Sequence, residues 1–454
     1  MKLLTKRIQP LYARYWAAAF GSALITCAYS IVDVAMVGQY HGPTGSAAMA
    51  VIAPIWNILY SLGLLTGIGG AILFSNARGK GADEDKNQYF TVSLLLTIGL
   101  SLLAWVGVSC FDKELMLFFG ADEETLPYTL KYLHYIKFVV PVYLFNQSLA
   151  CFLRNDNAPM LATIGIVGGA VFNIWGDYFF VFQMDMGIEG AGLATAMGGL
   201  ISTLVLCSHF FTRKNTMRVV RIERFFPKCG EICINGFSTF FIDVAMGILT
   251  MLFNRQIMAY IGQDALAVYS ILIQLSTFVQ CCAYSVGESA QPLMSINLGA
   301  SHYDRVLLTM NTAVKYAAAF GLCWLGVILV FPDVIIRLFM QPTESVMAIA
   351  PTIMRTYGLS FLLLPINVAS TFMFQSLLKS RISFIISVGR GMVLSGLLIL
   401  LLPAIFPAFS IWYAMVITEI IIFIYVLVML LRCEKELKEK ATRASEGEAA
   451  IAKV

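Results

Sequence analysis

The feature that most constrains this chain is a series of long apolar stretches without charge. Residues 34–77 contain no Asp, Glu, Lys or Arg, and shorter stretches of the same kind occupy 15–32, 87–111 and 158–176. A membrane-spanning helix needs about 20 mostly apolar residues. Because 59% of the residues are hydrophobic and only 13% are charged, composition excludes a disordered chain, a nucleic-acid-binding protein and most soluble enzymes. The chain is therefore predicted to be an all-α polytopic membrane protein in a lipid bilayer.

Breaks in the apolar pattern divide the chain into twelve predicted transmembrane helices, numbered here as spans 1 to 12. The stretch 34–77 is too long for one span, and the run His-Gly-Pro-Thr-Gly at 41–45 breaks it into two. The predicted spans cover residues 12–39, 46–76, 88–110, 129–153, 160–182, 190–211, 230–260, 266–298, 310–331, 347–377, 383–406 and 410–432.

Lysines and arginines are distributed unevenly between the spans. The loops on one side carry only Lys113 and Arg337. The linker between spans 6 and 7, on the other side, carries Arg213, Lys214, Arg218, Arg221, Arg224 and Lys228. Because cytoplasmic loops of membrane proteins are enriched in Lys and Arg, both termini are predicted to be cytoplasmic. No cleaved signal peptide is predicted at the N-terminus.

The two halves of the chain repeat each other. An offset of 220 residues pairs glycines at 42 and 262, 67 and 287, and 79 and 299, and a small insertion then pairs Pro141 with Pro365. Six spans per repeat give both halves the same orientation, so two six-helix lobes related by a pseudo-two-fold axis along the membrane normal are predicted. The predicted domains are the first lobe (1–217), a basic cytoplasmic linker (218–229), the second lobe (230–432) and a charged cytoplasmic tail (433–454), helical over 434–440 and disordered beyond.

Five acidic residues lie inside the predicted spans: Asp33, Asp177, Asp243, Glu288 and Glu419. A charged side chain at the bilayer centre costs at least about 2.5 kcal/mol, so each acid is a candidate functional residue. The alternative is a buried acid paired with a basic residue. The basic residues available at or near the spans are Arg14, Lys137, Arg154, Arg255, Lys315, Arg355 and Arg390.

Depth in the membrane groups four residues of the first lobe. Asp33 and Asp177 each lie a few residues below the outer end of their span, Asn173 precedes Asp177 by one helical turn, and Thr195 reaches the same level in span 6. Two carboxylates, an amide and a hydroxyl at one level can share protons, or they can coordinate a hard cation through oxygen atoms. These four residues are the predicted cation-coupling site.

The second lobe offers a less defined acidic group, consisting of Asp243, Glu288 and Glu419. Tyr284 and Gln291 are predicted to share a helix face with Glu288. Aromatic side chains can hold an organic cation over a ring face, although core or lipid packing is the common alternative for each ring. The predicted substrate-path residues are Tyr29, Trp56, Tyr60, Tyr143, Asn146, Trp175, Tyr178, Tyr284 and Gln291.

The motifs of several enzyme classes are absent from the sequence. It contains no GxxxxGK[ST] phosphate loop, no HExxH and no GxSxG. The ten cysteines form no CxxC motif, and only four histidines are present. We therefore expect no enzyme activity, no ATPase subunit, no cofactor and no metal beyond a possible Na⁺ at the four-residue site. Energy for uphill transport would come from an ion gradient.

Five segments resemble those of the multidrug and toxic compound extrusion (MATE) family, in particular its MepA-type branch. They are IVDVAMVG at 31–38, NIWGD at 173–177, GAGLAT at 190–195, GESAQPL at 287–293 and NLGA at 297–300. The resemblance covers the whole chain through its spans and lobes. One departure concerns the family acid in span 7, which would lie about one turn from Asp243. Another is that 347–377 holds no counterpart of the span-10 acid of other branches.

The resemblance implies a monomeric efflux antiporter in the bacterial cytoplasmic (inner) membrane. It would exchange small-molecule drugs or toxic organic cations for H⁺ or Na⁺, by alternating access of the two lobes. The family's first-lobe cation site would fall on Asp33, Asn173, Asp177 and Thr195. Two alternatives remain open, a related flippase for a lipid-linked precursor and a narrow-specificity metabolite exporter. No nucleic-acid partner is expected.

Overall fold

The computed structural model describes residues 2–340 and 342–451 and consists of helices and short connections. Eleven helices of this described part are long and apolar enough to span a membrane, and the first contains two spans, so twelve spans result. The predicted all-α polytopic fold is confirmed. The spanning helices are Ile8–Gly79, Asp83–Cys110, Leu126–Asn155, Pro159–Gln183, Ile188–Phe211, Phe225–Tyr260, Gln263–Gly299, Tyr303–Val330, Glu344–Ser376, Ser380–Ile405 and Ala408–Arg443.

The break between spans 1 and 2 lies at Gly42. Its backbone angles, φ 69° and ψ −153°, interrupt the helix Ile8–Gly79, and Pro43 follows directly. A side chain is strained at such a φ, which glycine adopts freely. Gly262, its partner at the offset of 220, has φ 121° and lies between spans 7 and 8. The predicted break within 41–45 is therefore correct. A glycine with positive φ separates the corresponding two spans of the second half as well.

Short helices also recur at matching places in the two halves. Asp112–Phe118 lies between spans 3 and 4, and Pro332–Phe339 lies between spans 9 and 10. The helices of spans 2 and 8 end at Gly79 and Gly299, which the sequence pairs at the same offset. The repeated glycines thus mark repeated helix ends.

The chain forms two compact units. One contains residues 17–240, and the other contains residues 3–16 together with the chain from Phe241 onward. The predicted lobe bounds follow the sequence repeat, whereas these units follow packing. The two descriptions differ for two segments, residues 3–16 near the N-terminus and residues 225–240 at the beginning of span 7. The repeat-based lobe bounds remain a prediction.

The N-terminal segment is held by specific contacts within the second unit. The guanidinium of Arg305 donates hydrogen bonds to the carbonyl oxygens of Leu3 and Lys6, both at 2.9 Å. The hydroxyl of Tyr12 donates to the carbonyl of Val286 at 3.0 Å. Because Leu3 and Tyr12 are also buried, this segment is anchored by packing as well as by hydrogen bonds.

The beginning of span 7 packs closely on span 2 within the first unit. A Cβ atom at Gly236 would lie 1.9 Å from the carbonyl oxygen of Leu65, and one at Gly69 would lie 2.2 Å from that of Ile232. Only glycine allows two backbones to approach so closely. The crossing of spans 2 and 7 therefore depends on Gly69 and Gly236.

The predicted linker 218–229 is bound to the first unit, and span 7 begins inside it at Phe225. The backbone N–H of Arg218 donates to Asn87 Oδ1 at 3.1 Å. The ammonium of Lys228 pairs with Asp85 and lies 4.0 Å from the ring centroid of Tyr89. These contacts fix the linker along the start of span 3.

The expected disorder of the charged tail is wrong for the described residues. The last helix runs without a break from Ala414 to Ile451. Its charged part carries ion pairs one turn apart, Lys438 to Glu434 at 2.7 Å and Lys440 to Glu436 at 2.8 Å, and such pairs support exposed helix. Residues 452–454 of the predicted tail lie outside the described residues.

Candidate cation and substrate sites

The structure brings the four predicted residues of the first lobe together from three spans. The side-chain amide of Asn173 in span 5 donates to Thr195 Oγ1 of span 6 at 3.0 Å and to Asp177 Oδ1 at 3.4 Å. Asp33 of span 1 lies near enough to Asp177 for their charges to interact. Two carboxyl groups, an amide and a hydroxyl therefore form one cluster, called the first-unit site below.

Tyr132 of span 4 completes this cluster, and sequence reasoning missed it. Its hydroxyl donates to Asp33 Oδ2 at 3.3 Å and lies 3.5 Å from Thr195 Oγ1. A Cβ at Gly192 would lie 2.4 Å from the carbonyl oxygen of Tyr132, so this glycine allows span 6 to approach span 4. The only sequence signal was the position of Tyr132 near the beginning of span 4, which starts at Leu126.

The local backbone explains how spans 5 and 6 present their polar groups. Asn173 and Asp177 lie one turn apart and therefore share a face of span 5. A Cβ at Gly169 would lie 2.5 Å from the carbonyl oxygen of Gly198, so these glycines let the spans touch near Asn173. The α-helix ends at Asp177, and a π-helical turn, Tyr178–Gln183, follows. Such turns occur frequently at functional sites.

The first-unit site carries acidic groups without a basic partner. Asp177 is 0% exposed and Asp33 is 5% exposed. No Lys, Arg or His among the described residues forms an ion pair with either of them, and Asp33 Oδ1, Asp177 Oδ2 and Asn173 Oδ1 accept no hydrogen bond. Because an unpaired buried carboxylate is costly, a proton or a cation is needed to neutralise the pair. The oxygen-only ligand set suits a hard cation.

The predicted path residues of the first unit fall into two groups. Five are buried or half-buried, and Tyr29 interacts with both Tyr143 and Asp33. The rings of Trp56 and Tyr143 meet edge to face at 4.7 Å. Asn146 accepts a hydrogen bond from the hydroxyl of Ser202 at 3.3 Å. The five residues are Tyr29, Trp56, Tyr60, Tyr143 and Asn146.

Trp175 and Tyr178 form the second group, and the structure does not bring them to the acids. Each is 53% exposed, and Trp175 stacks on Phe179 with ring centroids 5.2 Å apart. They continue an exposed apolar face of span 5 that includes Ile164 and Val171. A face of this kind is typical of contact with lipid, and the buried Asn173 and Asp177 point away from it.

In the second unit, Asp243 is bound by Tyr284. The hydroxyl of Tyr284 donates to Asp243 Oδ1 at 2.7 Å and accepts from Gln280 Nε2 at 3.2 Å. Asp243 Oδ2 has no hydrogen-bond partner among the described residues. The sequence placed Tyr284 on the face of Glu288, whereas the tertiary structure uses its hydroxyl for a different acid. Glu288 and Gln291 are both buried in span 8.

Glu419 differs from the other acids because it forms an ion pair. Its Oε1 accepts from Arg390 Nε at 2.6 Å, and its Oε2 accepts from Asn367 Nδ2 at 2.7 Å. The alternative of a paired buried acid, with Arg390 among the candidate partners, therefore applies here. Glu419 should be removed from the acids expected to face an exchangeable cation. In the described parts of the chain, no group of three or more His, Cys, Asp or Glu is arranged to hold a metal ion.

Solved structures with this arrangement of helices belong to transporters. An outward-facing multidrug resistance transporter of the MATE family within the MOP superfamily matches with a TM-score of 0.89 at 17% identity, over 96% of this chain and 98% of that chain. A MOP superfamily transporter from Pyrococcus furiosus also matches with a TM-score of 0.89, at 18% identity over 96% and 98%. These matches establish the fold.

Sequence comparison gives the family. The multidrug export protein MepA of Staphylococcus haemolyticus is 27% identical over 384 residues, 84% of each chain. MepA of Staphylococcus aureus strain MRSA252 is 24% identical over 400 residues, 87% of each chain. The sequence model of the family described as MatE matches residues 18–179 and 237–402, most of the chain. The chain belongs to the MATE family of multidrug efflux transporters.

Proposed function

We propose that this protein is a secondary antiporter that exports amphipathic, cationic compounds in exchange for H⁺ or Na⁺. The observation that carries the proposal is the pair of buried acids without a basic partner, Asp33 and Asp177. The cost of leaving both carboxylates charged in the membrane favours binding of a neutralising cation. The relatives named multidrug export protein support drugs as the cargo.

The proposed cycle begins with a proton or Na⁺ that enters from outside and binds at Asp33 and Asp177. Tyr132 donates to Asp33 and lies beside Thr195, so it connects span 1 to spans 4 and 6. Neutralising Asp33 weakens the charge-assisted hydrogen bond from Tyr132. The packing of span 1 then changes, and drug is released outward. The inward-facing state reloads with drug after the ion leaves, by alternating access of the two lobes.

We propose the cytoplasmic (inner) membrane of a bacterium as the location, with both termini in the cytoplasm and the monomer as the working unit. The lysine and arginine bias between the spans supports this orientation.

The deciding experiment uses purified protein in proteoliposomes that carry an imposed pH or Na⁺ gradient. We expect a fluorescent organic cation to move against its own gradient with one of the two gradients, and to equilibrate when both are absent. Failure of either gradient to drive any of several organic cations would contradict the proposal. That result would favour a flippase for a lipid-linked precursor or a narrow-specificity metabolite exporter.

Asp243 is the carboxyl group that we propose for contact with cationic drug, because one of its oxygens has no partner and aromatic rings lie nearby. Tyr284, which binds its other oxygen, packs edge to face on Phe372 at 5.5 Å. Replacing Asp243 by Asn should raise KM for a monovalent cationic drug about tenfold, equivalent to about 1.4 kcal/mol. KM for a neutral drug of similar shape should change little. Equal changes in KM for both drugs would show that Asp243 does not distinguish a cationic drug from a neutral one.

A further inference from the structure

The second unit contains a buried polar cluster built from the spans that correspond to spans 4, 5 and 6. Asn367 comes from span 10, Arg390 from span 11 and Glu419 from span 12. Glu419 is 0% exposed, and Arg390 and Asn367 are buried as well. The carboxylate of Glu419 accepts hydrogen bonds from Arg390 Nε at 2.6 Å and from Asn367 Nδ2 at 2.7 Å.

The internal repeat relates this cluster to the first-unit site. Spans 5 and 11 begin at Pro159 and Ser380, an offset of 221 that pairs Gly169 with Arg390 and Gly198 with Glu419. Thr195 contacts spans 4 and 5 through Tyr132 and Asn173, and Glu419 contacts the corresponding spans 10 and 11. The second-unit cluster therefore joins the spans that correspond to those of the first-unit site, and its position corresponds to the contact of Gly169 with Gly198, about one turn from Asn173 and Thr195.

The fifth span of each repeat contains a π-helical turn, although the two turns lie at different positions along the span. A π-helical turn follows Asp177 in span 5, and another, Gly389–Val393, contains Arg390 in span 11. A π-helical turn shifts the side chains that follow it around the helix. In span 11 the turn holds a guanidinium that reaches Glu419, whereas in span 5 the turn follows a carboxyl group.

The charges of the two clusters differ. The first-unit site has two acids and no basic partner among the described residues, while the second-unit cluster pairs one acid with one base. Two buried oxygen atoms of span 10 make no hydrogen bond within the described part of the chain, Asn367 Oδ1 and, three residues further along, Ser370 Oγ. Tyr357 of span 10 is a further titratable group near enough to Arg390 and Glu419 for an electrostatic interaction.

We propose that Arg390 is a built-in cation for the polar cluster of the second unit, whose three spans correspond to spans 4, 5 and 6 of the first-unit site. The guanidinium supplies to Glu419 the positive charge that Asp33 and Asp177 must take from an exchangeable ion. Because the guanidinium is part of the side chain, this positive charge stays in the cluster during transport. Glu419 therefore takes up no exchangeable ion of its own. The inference rests on the proposed function of the first-unit site.

The test counts ions bound by purified wild-type and variant proteins in detergent. Binding of ²²Na⁺ and release of H⁺ on a pH step are both measured, so that either ion is detected. Arg390→Met leaves Glu419, Asn367 and Ser370 in place, and it should take up about one additional H⁺ or Na⁺ per molecule, because the carboxylate loses its cation. The double variant Arg390→Met/Glu419→Gln should show the wild-type number of ions.

The double variant also tests whether the ion pair of Arg390 and Glu419 takes part in the transport cycle. A neutral Met and Gln keep roughly the volume of the pair and remove both charges together, so the double variant should fold and retain gradient-driven drug export within about twofold of wild type. A folded double variant without coupled export would overturn the proposal, because the ion pair would then take part in the cycle. An unchanged ion count in folded Arg390→Met would overturn it as well.

Two further variants distinguish failure of the Arg390 proposal from failure of the proposed function of the first-unit site. If Arg390→Met does not yield folded protein, Arg390→Ala takes its place in the ion count, and the double variant decides independently. Asp33→Asn, measured in the same assay, should lose the wild-type ion while Arg390 and Glu419 remain intact. Retention of all ion binding in Asp33→Asn would contradict the first-unit site itself, whereas failure of the Arg390 variants alone would leave that site in place.

Discussion

Asp33→Asn is expected to abolish gradient-driven drug accumulation while leaving the protein folded. Asn has the size of Asp, and its side-chain oxygen can still accept from Tyr132. It cannot, however, bind a proton or provide a charged ligand. Coupling between two sites is typically worth about 1 to 3 kcal/mol, so accumulation against a gradient should fall about 5- to 150-fold.

The measurement compares drug accumulation in proteoliposomes with and without the imposed ion gradient. Asp264→Asn provides a matched control, because Asp264 is an exposed acid in the first turn of span 8. It should accumulate drug as the wild-type protein does. Wild-type accumulation by Asp33→Asn would refute the proposed coupling role. Tyr132→Phe should give an intermediate loss, because it removes one hydrogen bond of Asp33 and leaves the carboxyl group.

Asp156→Asn should destabilise the first unit more than other single changes of charge. Asp156 is 0% exposed, and it pairs with Arg78 at 3.0 Å and with His209 at 2.9 Å. It also accepts from the backbone N–H of Thr216 at 2.8 Å. Removing one partner of a buried ion pair costs about 3 to 5 kcal/mol, because the other charge stays buried without compensation.

The expected result is a lower midpoint of thermal unfolding in detergent, with reduced yield of folded protein. Asp304→Asn is the matched control, since Asp304 is exposed in the first turn of span 9, and it should unfold like the wild-type protein. Arg78→Gln should resemble Asp156→Asn. Unchanged stability in both Asp156→Asn and Arg78→Gln would show that this network does not hold the ends of spans 2, 4 and 6 together.

The number and limits of the spans could be read from the sequence because the membrane imposes them. Hydrocarbon thickness fixes the length of an apolar helix, and each loop must satisfy its own backbone groups. The break at 41–45 was therefore predictable, and the structure adds that it lies at a glycine with positive φ, Gly42. Depth along the spans also follows from the rise per residue. For that reason Asp33, Asn173, Asp177 and Thr195 could be named as one group.

Partners across helices could not be read in the same way. Tyr132, Arg390 and Tyr284 each lie far along the chain from the acid that they bind. Which residue meets which acid depends on the rotation of each helix and on how closely two helices pack. The close approaches at Gly169 and Gly192 set those distances in spans 5 and 6. No pattern within one span contains that information.

The sequence by itself determined the twelve spans, the repeat and the depth of the acids, because these depend on hydrophobicity and on local helical geometry. Only the tertiary structure decided which acids are neutralised internally. Glu419 has Arg390 beside it, while Asp33 and Asp177 have, among the described residues, only hydroxyl and amide groups as hydrogen-bond partners. The physical reason is that a buried charge is stabilised by whatever group packing brings within about 3 to 4 Å of it. That group comes from another part of the chain.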